Sequence, residues 1–174
     1  MKRIIPLVII LILLTGCSGL YNISNFVLPD DLEFLVLREE LDTPKKTCQY
    51  MDDNFECENN SITLDPYKLF VLKKGNCDDF SLFTVWIANY NGYEAYQIFM
   101  EFPFWVYETS AGHVIGVFKE GNFYNISDTT SYIKCNCETF KEIMELYPDY
   151  NSYIVYDYDM NIIKKEKING KFKE

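Results

Sequence analysis

Hydrophobic residues recur at helical spacing in four stretches of the chain. This spacing predicts helices over residues 32–41, 66–72, 77–90 and 138–146. The first helix is expected to end at Thr43-Pro44, and the second begins at Asp65-Pro66. The last two are ended by Asn91-Gly92 and Pro148. Residues 47–63 are mostly polar, which predicts a loop between the first two helices.

Runs rich in β-branched and aromatic residues predict strands in the second half of the chain. They cover residues 93–102, 112–119, 122–127, 153–159 and 162–167. Polar and glycine residues at 119–122, and the pair Met160-Asn161, are typical of hairpin turns, so the strands beside them should pair antiparallel. The pattern predicts an α+β fold in which helices pack on an antiparallel sheet. The aromatic stretch 103–108 is either core or the lining of a substrate groove.

The N-terminus has the pattern of a signal peptide. Lys2-Arg3 precede eleven apolar residues at 4–14, a run too short to span a bilayer. The next residues, Leu14-Thr15-Gly16-Cys17, resemble a bacterial lipobox, whose cysteine is acylated and becomes the first residue after cleavage. We therefore expect a signal peptide at 1–16, the lipidated Cys17 and a tether at 17–28, and a single domain at 29–174. An ordinary secretory signal is the alternative, and both place the domain on the extracytoplasmic side.

Length and charge limit the partners of the mature chain. Removal of residues 1–16 leaves 158 residues, which suits a single domain with one sizeable core. The remaining chain has 14 basic and 26 acidic side chains, and thus a net charge of −12. This charge argues against binding to nucleic acid and against electrostatic binding to anionic lipid. We therefore expect the acyl chains on Cys17 to hold the protein on the cell membrane.

Three residues could supply the chemistry of a cysteine enzyme. Cys77 opens a predicted helix, His113 is the only histidine and lies on a predicted strand, and Asp128 ends the next strand. A thiol nucleophile needs a base that takes its proton and a third group that orients the base. The helix N-terminus favours a thiolate, because unpaired N–H groups and the positive end of the helix dipole lie there. Asp78 and Asp79 oppose this effect, so an imidazolium would have to offset their charge.

The surroundings of these residues resemble a known superfamily. The motifs are Gly75-Asn76-Cys77-Asp78-Asp79-Phe80, Gly112-His113-Val114 and Asn125-Ile126-Ser127-Asp128. They resemble the core of the transglutaminase-like superfamily, in particular its bacterial cysteine peptidases, over residues 66–128. The resemblance implies a papain-like core with the cysteine at a helix N-terminus against an antiparallel sheet. It also implies that Cys77 is the nucleophile, His113 the general base and acid, and Asp128 the group that orients the histidine.

The implied reaction is acyl transfer through a thioester on Cys77. With water as acceptor the enzyme is a peptidase or amidase, and with a lysine amine it is a protein-glutamine transglutaminase that forms crosslinks. We favour hydrolysis of a protein, peptide or cell-wall peptide, because the sequence has no obvious lid segment that would exclude water. Asn76 and Tyr67 are candidate side-chain donors to the oxyanion, and no cofactor is expected. A non-enzymatic surface binding module with the same fold is the further alternative.

Four cysteines remain once Cys17 is assigned to lipid and Cys77 to catalysis: Cys48, Cys57, Cys135 and Cys137. The last two are separated by one residue, a spacing at which ordinary disulfide geometry is difficult. We therefore expect each of them to pair with Cys48 or Cys57. Zinc binding by the four residues and four free thiols are the alternatives, although neither spacing is the Cys-x₂-Cys that is common in zinc sites.

Overall fold

The computed structural model describes residues 26–59, 62–103, 112–147 and 149–167. The predicted signal peptide, Cys17, most of the tether and nearly all of the aromatic stretch 103–108 lie outside these ranges. Within them, no helix combines the length and the apolar character needed to cross a membrane.

The helices of the described ranges all begin at a side-chain cap. They are α1 (Leu32–Glu40), α2 (Pro44–Asn54), α3 (Pro66–Leu72), α4 (Cys77–Tyr90) and α5 (Phe140–Glu145). The residue before each helix accepts a hydrogen bond from a backbone N–H of the first turn, which satisfies a donor that the helix itself leaves unpaired. These capping residues are Asp31, Thr43, Asp65, Asn76 and Thr139.

Helix α2 corrects the prediction of a loop over residues 47–63. The side chain of Thr43 accepts a hydrogen bond from the N–H of Lys46, and Pro44 occupies the first position of the helix. Thr43-Pro44 is therefore a helix start as well as the end of α1, because proline lacks only an N–H that the first turn leaves unpaired anyway. Cys48 and Met51, three residues apart, are both buried on the inner face of this helix.

Most strands belong to one antiparallel sheet. They are β3 (Ala95–Glu101), β4 (Gly112–Glu120), β5 (Phe123–Asp128), β6 (Ser131–Cys137), β7 (Ser152–Tyr156) and β8 (Ile162–Lys167). Their order is β6-β5-β4-β3-β7-β8, and every neighbouring pair is antiparallel. The short strands β1 (Glu56–Cys57) and β2 (Lys74–Gly75) pair parallel beside α4. The predicted α+β fold, with a cysteine at a helix N-terminus and an antiparallel sheet, is confirmed.

Both faces of the sheet are covered by helices. Helix α4 packs on the face of Gly116 and Phe118, and a Cβ on Gly116 would lie only 3.6 Å from the carbonyl oxygen of Ser81. Beyond α4, the rings of Phe34 and Trp86 stack at 5.2 Å with an interplanar angle of 3°. The opposite face is covered by α5, whose buried residues join a cluster that includes Ile115, Val117 and Ile126. Alternation along β4 places His113 on the same side as Ile115 and Val117.

Candidate active site

The start of α4 is fixed by a reciprocal cap around Cys77. Asn76 Oδ1 accepts hydrogen bonds from the N–H groups of Asp78 and Asp79, at 3.0 and 3.4 Å. In return, Asp79 Oδ2 accepts the N–H of Asn76 at 2.8 Å, which completes a capping box. The second oxygen of Asp79 accepts the N–H of Leu64 at 2.6 Å. Cys77 is therefore the first residue of a helix whose preceding loop is held in place by a buried carboxylate.

Gly75 is required by the close approach of Asp79. A Cβ on Gly75 would lie 2.8 Å from Asp79 Oδ2 and 2.8 Å from a methyl carbon of Leu69, closer than real Cβ atoms pack. The glycine two residues before the cysteine thus makes room for the carboxylate that caps the helix.

His113 and Asp128 lie side by side on the α5 face of the sheet. His113 is near the start of β4 and Asp128 is the last residue of β5, the neighbouring antiparallel strand. His113 Nε2 is 2.8 Å from Asp128 Oδ1, and each side chain keeps 25% of its surface exposed. With Nε2 directed to the carboxylate, Nδ1 is the ring nitrogen that can face a sulfur.

Cys77 and His113 interact directly. Burial lowers the pKa of His113, but hydrogen bonds to Asp128 and Cys77, and the charges of these two groups, outweigh it and raise the pKa to about 9. Burial also raises the pKa of Asp128, yet the hydrogen bond and charge of His113 hold it below its usual range. The imidazole is therefore protonated at neutral pH, and an imidazolium beside the sulfur stabilises a thiolate.

Asp78 is the acidic neighbour of the sulfur. Cys77 Sγ donates to Asp78 Oδ1 at 3.6 Å. Burial and the charge of Asp79 raise the pKa of Asp78, although the hydrogen bond from Cys77 and the charge of His113 act in the opposite direction. Asp78 therefore stays an acidic neighbour of the sulfur, and the positive charge of His113 is the group that offsets it.

Tyr147 is a part of the site that sequence reasoning missed. It follows α5, its hydroxyl donates to Asp128 Oδ2 at 2.9 Å, and its ring centroid is 6.4 Å from that of His113. Thr129 also donates to Asp128, at 3.5 Å on Oδ1. Both carboxylate oxygens are therefore bound, and the side chain of Asp128 has a fixed orientation. No motif marks Tyr147, because it reaches the site only through the packing of α5 on the sheet.

The two candidate oxyanion donors have other roles in the structure. Asn76 caps α4 through its side-chain oxygen, which is an acceptor. The hydroxyl of Tyr67 donates to Asp31 at 2.8 Å, and its ring packs on Phe34. The hydroxyl hydrogen of Tyr67 is thus bound to Asp31, and a role for Tyr67 as an oxyanion donor stays a prediction. The structure does bring together Cys77, His113 and Asp128.

The cysteines of the described ranges are free thiols, so the expected disulfides are absent from them. Cys48 is buried on α2 and its burial raises its pKa to about 12, whereas Cys57 is exposed on β1. Cys135 and Cys137 lie together on β6, and the formation of α2 in place of a loop directs Cys48 into the core. Among the described residues, no three His, Cys, Asp or Glu side chains cluster as metal ligands.

Comparison with known proteins gives distant structural similarity only. No family model and no curated protein matches the chain. Calcium-bound LapG from Legionella pneumophila is similar with a TM-score of 0.44 and 12% identity, over 76% of this chain and 67% of that one. The EGTA-treated form of LapG is similar with a TM-score of 0.46 and 11% identity, over 74% of this chain and 72% of that one. A candidate cysteine protease from Cytophaga hutchinsonii is similar with a TM-score of 0.42 and 11% identity, over 88% of this chain and 61% of that one. Similarities this distant do not assign the chain to a family.

Proposed function

We propose that this chain is a lipid-anchored cysteine hydrolase that cleaves an amide bond in a protein, peptide or cell-wall peptide on the extracytoplasmic side of the membrane. The observation that carries the proposal is the contact between a cysteine at a helix N-terminus and a histidine whose other nitrogen is bound to a carboxylate. The lipobox-like residues before Cys17 support the location. The resemblance of the three motifs to bacterial transglutaminase-like peptidases supports the reaction class.

We infer one step of the reaction for each residue. The thiolate of Cys77 attacks the substrate carbonyl carbon, and the carbonyl electrons move to the oxygen, which becomes an oxyanion. Asn76 already accepts from the N–H groups of Asp78 and Asp79, so the N–H of Cys77 is the first-turn donor that we assign to the oxyanion. Collapse of this intermediate breaks the C–N bond, and imidazolium His113 protonates the leaving amine.

Water completes the cycle. Neutral His113 takes a proton from a water molecule, whose oxygen attacks the thioester and releases the carboxylic acid and Cys77. Asp128 holds the ring orientation throughout and stabilises the imidazolium. His113 and Asp128 each keep a quarter of their side-chain surface exposed, so water reaches the site, which favours hydrolysis over transfer to an amine.

The first test is the pH dependence of iodoacetamide labelling of Cys77. The full-length protein in detergent and its His113→Ala variant are labelled from pH 5 to 9 and analysed by mass spectrometry. Exposed Cys57 in the same sample is the internal reference thiol. We expect Cys77 to react at least about tenfold faster than Cys57 at pH 6.5, since an unassisted thiol is then only about 1% ionised. The variant should lose this advantage. Equal rates for the two cysteines would contradict the proposal.

The second test separates hydrolysis from transfer. A mixture of denatured proteins is incubated with the enzyme and a fluorescent primary amine. Hydrolysis of peptide bonds creates new amino termini, whereas transfer attaches the amine to the proteins. We expect new termini without amine incorporation, and we expect neither with Cys77→Ala. Incorporation of the amine would replace a hydrolase with a transferase, and no change with either protein would contradict an acyl-transfer enzyme on these substrates.

A further inference from the structure

The strand next to Asp128 carries a second group of reactive side chains that the proposed reaction does not use. Cys135 and Cys137 lie on β6, which pairs with β5. Cys135 Sγ donates to the carbonyl oxygen of Tyr124 at 3.1 Å, and Tyr124 is the residue paired with Cys137 across the two strands. The sulfur of Cys135 therefore lies against the backbone of the residue that pairs with Cys137.

A bulge brings the two cysteines together. Asn136, between them, has a φ of 52°, in the left-handed region, and its N–H donates to Asn125 Oδ1 at 3.0 Å. The strand pairing is irregular at the same place, between Tyr124 and Ile126. A left-handed residue in a strand shortens the distance between its two neighbours, which removes the main obstacle to a bond between cysteines spaced by one residue. A hydrogen bond between the two thiols also contributes to raising the pKa of Cys137 to about 12, after burial as the largest cause.

We propose that Cys135 and Cys137 are a thiol–disulfide exchange site, which closes to an internal disulfide on reaction with a disulfide co-reactant. This site is separate from Cys77, whose sulfur interacts with Asp78 and His113. It also differs from the pairing with Cys48 or Cys57 that the sequence suggested.

The two thiols have different roles in the exchange. Cys135 is half-buried and Cys137 is 6% exposed, so Cys135 is the accessible thiol. Cys135 loses its proton and attacks one sulfur of the co-reactant. The S–S bond of the co-reactant breaks, its other sulfur leaves as a thiolate, and the attacked half stays on Cys135 as a mixed disulfide. Cys137 then loses its proton and attacks Cys135 Sγ, which releases the second half of the co-reactant as a thiolate. Two protein thiols are oxidised, one disulfide is reduced to two thiols, and both protons pass to the leaving thiolates.

The experiment uses the full-length protein in detergent, equilibrated with mixtures of glutathione and glutathione disulfide. Remaining thiols are blocked with iodoacetamide, and trypsin then cuts after Lys134 and Lys141, which gives a peptide that contains Cys135 and Cys137 and no other cysteine. We expect this peptide to change from doubly alkylated to unalkylated and lighter by two hydrogens, with little singly modified form. A peptide that stays doubly alkylated in the most oxidising mixture would overturn the proposal.

Two controls test the roles and the geometry. Cys137→Ser should trap glutathione on Cys135, at least about tenfold more than in the unmodified chain, because no second thiol is present to release it. Repetition in urea tests the bulge without any substitution. The urea-unfolded protein should need a more oxidising mixture than the folded protein to form the Cys135–Cys137 disulfide. Formation of the disulfide at the same mixture in both would show that the fold does not hold the two thiols in a favourable geometry.

Discussion

At the scale of single residues, the candidate site is organised around the two oxygens of Asp128. His113 binds one oxygen at 2.8 Å, and Tyr147 donates to the other at 2.9 Å. A carboxylate bound on both sides keeps one orientation, and it therefore fixes the ring of His113 with Nδ1 on the side of Cys77. In the proposed reaction, Tyr147 would thus act through Asp128, as a positioning residue.

Tyr147→Phe should alter the pH dependence of Cys77. The hydrogen bond from Tyr147 helps to lower the pKa of Asp128, so its loss should raise that pKa. The acid limb of the iodoacetamide rate profile should then move to higher pH, because a less firmly held Asp128 supports the positive charge of His113 less strongly. Tyr150→Phe is the matched control, since Tyr150 packs on Tyr153. The same shift in both variants, or in neither, would exclude a positioning role for Tyr147.

The pair His113–Asp128 should make stability depend on pH in a defined window. The pKa of His113 is raised from 6.5 to about 9. Its contribution to the free energy of unfolding is therefore fully present below pH 6.5 and is lost as pH rises through 9. The pKa of Asp128 is lowered from 3.8, so its contribution is present above pH 3.8 and is lost at more acidic pH. The pair therefore stabilises the fold most between pH 3.8 and 6.5.

Urea unfolding of the wild-type protein and His113→Gln measures this window. We expect the difference in free energy of unfolding to be about 1–3 kcal/mol near pH 6 and to shrink toward pH 9. His113 is the only histidine of the chain, so no other imidazole titrates in this range. A difference that stays constant from pH 6 to 9 would contradict the raised pKa.

At the scale of elements, local signals predicted helix α4 and the β4–β5 hairpin, whereas helix α2 and strand β6 were missed. Helix α4 and the turn at Gly121 follow from adjacent residues, and so the positions of Cys77 and His113 could be predicted. Helix α2 was missed because the pair Thr43-Pro44 can either end one helix or begin the next, and the sequence does not distinguish the two. Strand β6 was missed because exposed Ile133 and Lys134 interrupt the alternation of buried and exposed residues.

Gly75→Ala should disturb the start of α4. The added methyl group would lie 2.8 Å from Asp79 Oδ2, so Asp79 must move and the hydrogen bonds to Asn76 and Leu64 weaken. We expect a loss of about 1–3 kcal/mol in the free energy of unfolding and slower alkylation of Cys77. Gly116→Ala is the control, because its Cβ would meet neighbours only at ordinary contact, from 3.5 Å. Equal losses in the two variants would contradict a special role for Gly75.

At the scale of the whole molecule, the site joins three separate parts of the chain. Cys77 comes from α4 on one face of the sheet, His113 and Asp128 come from a hairpin within it, and Tyr147 follows α5 on the other face. The site therefore exists only when both layers of helices are packed on the sheet. This explains why the three motif residues could be predicted individually, whereas the contact of Tyr147 with Asp128 required the complete fold.

The membrane attachment that we propose also concerns the whole molecule, and we expect it to depend on Cys17 alone. After removal of residues 1–16 the chain has a net charge of −12, so anionic lipid repels it and acyl chains must supply the binding energy, at about 0.8 kcal/mol per buried CH₂. Cells grown with an alkyne-labelled fatty acid should label the wild-type protein and Cys57→Ser, but not Cys17→Ser. Washing membranes with high salt should leave the wild-type protein attached, because salt screens charges and does not weaken burial of acyl chains. Release by salt, or equal labelling of Cys17→Ser, would show that the attachment has another origin.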